Sequence, residues 1–73
     1  MDTKRLIRQA MAARGLNGVK LSAQMNRGKN YISDKLTRDN AIQVDTLEEI
    51  ARSMGYRLEI SFVDESTGKR IEA

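Results

Sequence analysis

The pattern of apolar and polar positions predicts four short helices ahead of Gly55. Within each of them, apolar residues recur three or four positions apart, which places them on one face of a helix. Gly15 and Gly55 serve as C-terminal stops for the first and last helices, and Asn17 is a suitable N-cap for the second. The predicted helices cover residues 3–14, 18–25, 29–36 and 44–54.

After Gly55 the period of the apolar residues changes from that of a helix to that of a strand. Every second residue from Tyr56 to Phe62 is apolar, which is the pattern of a half-buried strand over residues 56–63. A turn over residues 64–68 and a short return strand over residues 69–72 complete the pattern. The predicted fold class is therefore mainly α, with four short helices followed by a C-terminal β-hairpin.

The predicted hairpin needs a surface to pack on, because an isolated two-stranded hairpin is marginal in water. The 73 residues form one domain with a small core and no cysteine to crosslink it, so a symmetric dimer is a ready source of further buried area. We expect the hairpin both to pack on the helices and to pair with the same element of a second chain. Residues 1–55 are then the helical part and residues 56–73 the dimerisation element. The predicted dimer contacts are Leu58, Ile60 and Phe62.

The second and third predicted helices are joined by only three residues, 26–28. Two short helices joined in this way pack at a steep angle, which is the geometry of a helix-turn-helix unit. Ile32 and Leu36 are the inward positions of the third helix, and its outward positions are polar. Such side chains are able to bond base edges in the major groove, as Lys does with guanine and Asn with adenine. The predicted base-reading residues are Lys29, Asn30, Ser33 and Asp34. An ordinary amphipathic surface helix has the same pattern, so both interpretations remain open.

Charge divides the chain into a basic half and an acidic half. The net charge is +3, from 13 basic and 10 acidic residues. Residues 1–38 contain nine of the basic residues and two of the acidic ones, and residues 39–73 contain the other four and eight. This asymmetry suggests a face that contacts a polyanion. Charged side chains that only solvate the surface give the same counts, so the charge distribution alone does not distinguish a polyanion-binding face from an ordinary surface.

The composition argues against enzymatic, metal-binding and membrane functions. The chain has no His and no Cys, which removes common acid–base and nucleophilic groups and the usual zinc and haem ligands. It has no Gly-rich phosphate loop either. We therefore expect no enzymatic activity, no metal and no cofactor. No apolar run approaches the roughly 20 residues of a membrane span or resembles a signal peptide, so we expect a cytoplasmic protein without membrane contact.

Several stretches match one known family in order and spacing. The strongest is the run from Asp45 to Gly55, DTLEEIARSMG, which is similar to a family helix of the form ETLxxIAxxLG. Leu21 and Met25 on the second helix and residues 30–33 on the third match as well. On these residues the segment 16–58 resembles the Cro/repressor-type helix-turn-helix family, the XRE-like regulators of bacteria and their phages. The resemblance implies a lambda-repressor-like helical fold that reads DNA with its third helix.

The resemblance also implies where phosphates are bound. Members of the family bind phosphates through the start of the second helix and through the loop after the third. In this chain, these places correspond to Asn17, Gly18, Lys20, Arg38 and Asn40.

Three residues depart from the family pattern. Gly18 stands where a Gln is common, so a backbone amide at a helix start replaces a side-chain contact. Arg27 replaces an apolar turn residue, and its stem is able to cover the core while its guanidinium reaches a phosphate. Asp34 puts a negative charge on the face meant for DNA. It either accepts from cytosine N4 or pairs with Arg38 at i+4, and we favour the pair.

The expected function is sequence-specific binding of double-stranded DNA by a homodimeric transcriptional repressor that reads a palindromic operator. An alternative is the antitoxin of a toxin–antitoxin pair, which autoregulates its operon and binds a toxin through residues 56–73. A third possibility is a domain of this fold that binds only protein. Loss of affinity for duplex DNA with rising salt separates the first two from the third.

Overall fold

The computed structural model describes residues 2–72; Met1 and Ala73, at the two ends of the predicted domain, lie outside the described residues. The elements are helices α1 (Thr3–Ala13), α2 (Gly18–Gln24), α3 (Tyr31–Thr37) and α4 (Val44–Ser53), then strands β1 (Ser61–Val63) and β2 (Arg70–Glu72). The strands pair in antiparallel fashion. The predicted fold class is therefore confirmed: the described chain is mainly helical and ends in a short hairpin.

Local capping sets the bounds of the first two helices and the end of the fourth. The side chain of Asp2 accepts a hydrogen bond from the N–H of Arg5 at 3.0 Å and begins α1. Gly15 and Gly55 have φ angles of 65° and 83° and follow α1 and α4, as their sequence positions predict. The bounds of these helices therefore agree with the prediction to within one residue at each end.

Helix α3 begins two residues later than predicted. The carbonyl of Gly28 accepts a hydrogen bond from the N–H of Tyr31 at 2.9 Å, which closes a turn instead of a helix. The first helical bond runs from the N–H of Asp34 to the carbonyl of Asn30, also at 2.9 Å. Lys29 and Asn30 therefore precede the helix. Thr37, which the sequence assigns to a loop, is the last residue of α3.

The core joins all four helices. Leu21, Ile32 and Ile50 are fully buried, and each comes from a different helix. The buried hydrophobic set as a whole is Ile7, Met11, Leu21, Ile32, Leu47, Ile50 and Met54. Leu36 is half-buried beside it, as predicted for the inward side of the third helix, and so is Tyr31. The same core that stabilises the fold therefore fixes α3 in place.

The C-terminal strand is shorter than predicted and is not half-buried. Ser61–Val63 pairs with Arg70–Glu72, and residues 56–60 have no strand partner because β2 is only three residues long. All six paired residues are exposed. The paired strands therefore do not pack on the helices, contrary to the expectation, whereas Tyr56 and Leu58, which belong to the predicted first strand, are half-buried against the core. Pairing of the hairpin with a second chain stays a prediction.

The turn of the hairpin is closed by a side chain. Asp64 accepts hydrogen bonds from the hydroxyl of Ser66 at 2.7 Å and from its N–H at 2.9 Å. These bonds hold the pKa of Asp64 below its ordinary value. Gly68 has a φ of 75° and supplies the left-handed residue of the turn.

Candidate nucleic-acid interface

A buried serine connects α2 to α3. Ser22 is fully buried, and its hydroxyl donates to the carbonyl of Gly18 at 2.7 Å. The same oxygen accepts the N–H of Ile32 at 3.1 Å. The first N–H groups of a helix have no partner inside the helix, so Ser22 acts as a cap for α3 from a neighbouring helix. Ser22 is not among the residues predicted from the sequence; the available signal is its position directly after Leu21, which is buried in the core.

This cap leaves Asn30 with an unused side chain. Asn30 occupies the N-cap position of α3, yet its side chain makes no capping hydrogen bond and is exposed. Asn17 occupies the same position at α2, where its side-chain oxygen accepts the N–H of Lys20 at 2.8 Å. Of the two asparagines, Asn30 therefore keeps its amide group available for another molecule.

The predicted base-reading residues lie together on the exposed side of α3 and the turn before it. Lys29, Asn30, Ser33 and Asp34 are all exposed. The hydroxyl of Ser33 donates to the carbonyl of Asn30 at 3.2 Å, so its oxygen remains an acceptor. Thr37 lies one turn further along the same face, where its hydroxyl donates to the carbonyl of Ser33 at 2.8 Å. Thr37 is not among the predicted base-reading residues, because the predicted third helix ends at Leu36.

The predicted ion pair between Asp34 and Arg38 is not found. Arg38 has left the helix, with a φ of −67° and a ψ of 147°, so its side chain does not follow the i+4 position of α3. Only its backbone N–H reaches Asp34, at the carbonyl, at 3.1 Å. The carboxylate of Asp34 therefore stays unneutralised by Arg38 on the exposed side of α3.

The start of α2 lies against the first turn of α3. A Cβ atom built on Gly18 would be 3.9 Å from Ile32 Cγ2 and 3.9 Å from the backbone nitrogen of Ser33. Asn17 and Lys20 flank Gly18 and are exposed. The residues assigned to phosphate at α2 therefore adjoin the residues assigned to bases at α3.

A second polar region lies beyond the other end of α3. Arg38 and Asn40 are exposed there, and the ammonium group of Lys4 donates to the carbonyl of Arg38. Lys35, Arg38 and Asn40 also line a depression that extends to Thr46 at the start of α4. Lys4 belongs to this group although it lies 34 residues from Arg38 in the chain. Local sequence patterns do not predict a contact over such a separation.

Arg27 has a partner of its own. Its guanidinium lies 2.8 Å from a carboxylate oxygen of Glu49 on α4, and both side chains are about half exposed. This hydrogen bond, together with the charge of Glu49, raises the pKa of Arg27. The guanidinium also lies 5.1 Å from the ring centre of Tyr31, and the ammonium of Lys35 lies 5.5 Å from the same ring. A phosphate that binds Arg27 has to compete with Glu49.

No family model, curated protein or solved structure matches this chain. Among residues 2–72, no helix is both long and apolar enough to cross a membrane.

Proposed function

We propose that this protein binds double-stranded DNA sequence-specifically through α3 and the turn before it, as a small transcriptional repressor. The observation that carries the proposal is the free side-chain amide of Asn30, exposed at the start of a helix whose own first turn is capped by Ser22. An Asn amide both donates and accepts, and it bonds the N6 and N7 positions of adenine as a pair.

The exposed face of α3 suits the major groove, which is about 12 Å wide and admits one helix. Lys29 is exposed and carries an ammonium group, which is able to donate to guanine, and Ser33 offers a hydroxyl beside Asn30. Ile32 anchors the opposite side of the helix in the core, so the reading residues are presented on a fixed support. Asp34 restricts the choice of bases, because a carboxylate accepts from cytosine N4 and repels phosphate.

Phosphate contacts are proposed on both sides of this face. Asn17, Gly18 and Lys20 lie at one side, and Arg38 and Asn40 lie at the other. Lys4 adds a cation next to Arg38. Contacts of this kind position a protein on the duplex without reading its sequence. The protein then acts in the cytoplasm, and as a homodimer it reads two half-sites about one helical turn apart.

Selection of bound sequences from random duplexes, followed by binding measurements at several salt concentrations, tests the proposal. A selected site that is bound more tightly than random DNA, with an affinity that falls steeply as salt rises, is the expected result. Palindromic selected sites support the dimer. Undetectable duplex binding at low salt contradicts the proposed function.

The phosphate contacts are tested by Lys20→Ala, which should weaken binding to selected and random duplexes alike. It should also reduce the slope of log K against log salt by about 0.9, the value for one neutralised phosphate. The matched control is Lys69→Ala. Lys69 is exposed directly before β2, so this substitution removes the same charge at a place far from α3 in the chain. Equal effects of the two substitutions would show that Lys20 acts only through net charge.

A further inference from the structure

The hairpin has one apolar face that nothing covers in the described chain. Phe62 pairs with Ile71, so the two side chains share one face, and they are 78% and 73% exposed. The opposite face carries the pairs Ser61–Glu72 and Val63–Arg70. A two-stranded hairpin of this kind is marginal in water unless its apolar face is packed on something.

The hairpin extends away from the helices. The radius of gyration is 13.9 Å, where a compact chain of this length has about 11 Å. The molecule measures 45 Å along its longest axis and 26 and 19 Å along the others. The apolar face is therefore carried outward and does not close onto its own helical body.

The helical body has a groove that matches this face in chemistry. The groove lies between α1 and α4, has a volume of about 360 Å³ and is lined mostly by apolar side chains. Leu6 and Ala13 belong to its walls, and Leu6 is 44% exposed. Leu58, three residues ahead of β1, also lines it and packs against the core.

We propose that the hairpin of one copy docks its Phe62–Ile71 face into the α1–α4 groove of a second copy, and that the second copy returns the same contact. In this reciprocal exchange each copy contributes two surfaces, its hairpin and its groove, related by a two-fold axis. One aromatic side chain provides roughly 150–250 Å² of contact. Because each copy buries both its hairpin and its groove, the buried area approaches the ~800 Å² per partner that is typical of a stable complex.

Charge favours the same pairing. Helix α1, which forms one wall of the groove, carries Lys4, Arg5 and Arg8 and no acidic residue. Residues 61–72 carry three acidic and two basic residues, so the hairpin has the opposite net charge. The other wall, α4, carries three acidic residues and one basic residue, so these charges favour an orientation in which the acidic residues of the hairpin lie beside α1.

This inference rests on the dimer of the proposed function, and it changes the predicted contact set. Leu58 becomes part of the receiving groove, whereas Phe62 and Ile71 become the inserted residues. Dimerisation is measured without DNA, so its failure is distinguishable from a failure to bind DNA.

Sedimentation equilibrium tests the two surfaces separately, with circular dichroism as the check of folding. Phe62→Ser should convert a dimer to a monomer, whereas Val63→Ser on the opposite face of the hairpin should not. Ala13→Glu in the groove wall should have the same effect as Phe62→Ser, whereas Ala12→Glu, also exposed on α1 but outside the groove, should not. A monomeric unsubstituted chain, or a dimer that Ala13→Glu leaves intact, overturns the proposal. Duplex binding by the same samples shows separately whether the DNA-binding function holds.

Crosslinking distinguishes the possible occupants of the groove, because the chain has no cysteine of its own. A chain with Ile71→Cys is mixed with a chain with Ala13→Cys under mild oxidation. The expected product is a disulfide between the two different chains. Disulfides that join only Ile71→Cys chains to each other overturn the proposal in favour of hairpin-to-hairpin pairing. A disulfide within one monomeric chain that carries both substitutions overturns it in favour of a hairpin that folds back.

Discussion

Helices α2 and α3 lie side by side, but their N-termini are completed in different ways. The first turn of α2 is capped by its own N-cap residue, Asn17, which accepts the N–H of Lys20. The first turn of α3 is capped by Ser22, which comes from α2 and accepts the N–H of Ile32. Asn30 is the N-cap residue of α3 and takes no part. A helix that is capped by a neighbour thus keeps its own N-cap side chain for an external partner.

The largest effect on folding is expected from Ser22→Ala. The substitution leaves the N–H of Ile32 buried without an acceptor, which costs about 1–3 kcal/mol. Urea denaturation should show a lower midpoint with an unchanged slope. Ser33→Ala removes an exposed hydroxyl from α3 and should change the free energy of unfolding by less than about 0.5 kcal/mol. If the two variants unfold at the same urea concentration, Ser22 is not the cap of α3.

A smaller loss is expected from Asn17→Ala. Removal of an N-cap acceptor costs about 1 kcal/mol of stability. Asn17→Asp keeps an acceptor oxygen at the same place and should stay within a few tenths of a kcal/mol of the unsubstituted chain. The measurement is again urea denaturation, and equal losses for both variants would contradict the capping role.

The turn that links the two helices is tested by Glu49→Gln. This substitution removes the negative charge that pairs with Arg27 and leaves only a neutral hydrogen-bond acceptor, so Arg27 is held less firmly and we expect tighter binding to duplex DNA at low salt. The slope of log K against log salt should steepen by about 0.9 if Arg27 then binds one phosphate. Glu48→Gln on the same helix removes the same charge from a residue paired with Arg52, and it serves as the control. Identical gains for both variants would mean that only net charge has changed.

The smallest effect on folding is expected from Asn30→Ala, because no hydrogen bond of the fold depends on that side chain. The free energy of unfolding should change by less than about 0.5 kcal/mol. Binding to the selected duplex should weaken by about 1–3 kcal/mol, with the loss confined to one base pair. An equal loss on selected and random duplexes would show that Asn30 does not read a base.

Interactions between close neighbours in the chain were predictable from the sequence. Asn17, Gly15 and Gly55 mark helix ends through the backbone of residues close to them in the chain. The ends of the helices next to these residues agree with the prediction to within one residue. The start of α3 was predicted two residues early because the N–H of Tyr31 bonds the carbonyl of Gly28 in a turn, and the next N–H, that of Ile32, bonds Ser22, ten residues away. Helix propensity alone contains no information about such a contact.

The same limit applies to the site and to the hairpin. Sequence placed Lys29, Asn30 and Ser33 on one exposed face, but it did not show that the Asn30 amide is free or that Glu49 holds Arg27. The alternation from Tyr56 to Phe62 predicted a strand, whereas pairing is confined to its end because β2 is three residues long. The periodicity of apolar residues indicates which face of a helix or strand a residue lies on. It does not indicate which other segment of the chain contacts that face.

The cap supplied by Ser22 separates what keeps this protein folded from what its exposed face displays. The N–H groups of Tyr31 and Ile32 are satisfied by the carbonyl of Gly28 and by Ser22, so the cap of α3 does not need the side chains at positions 29 and 30. The exposed hydroxyls at positions 33 and 37 bond only carbonyls three and four residues earlier in the chain. Sequences that differ at these positions should remain folded while they change what they display. Evolution, or selection from a combinatorial library, is therefore able to change these exposed residues one at a time without compensating substitutions in the core.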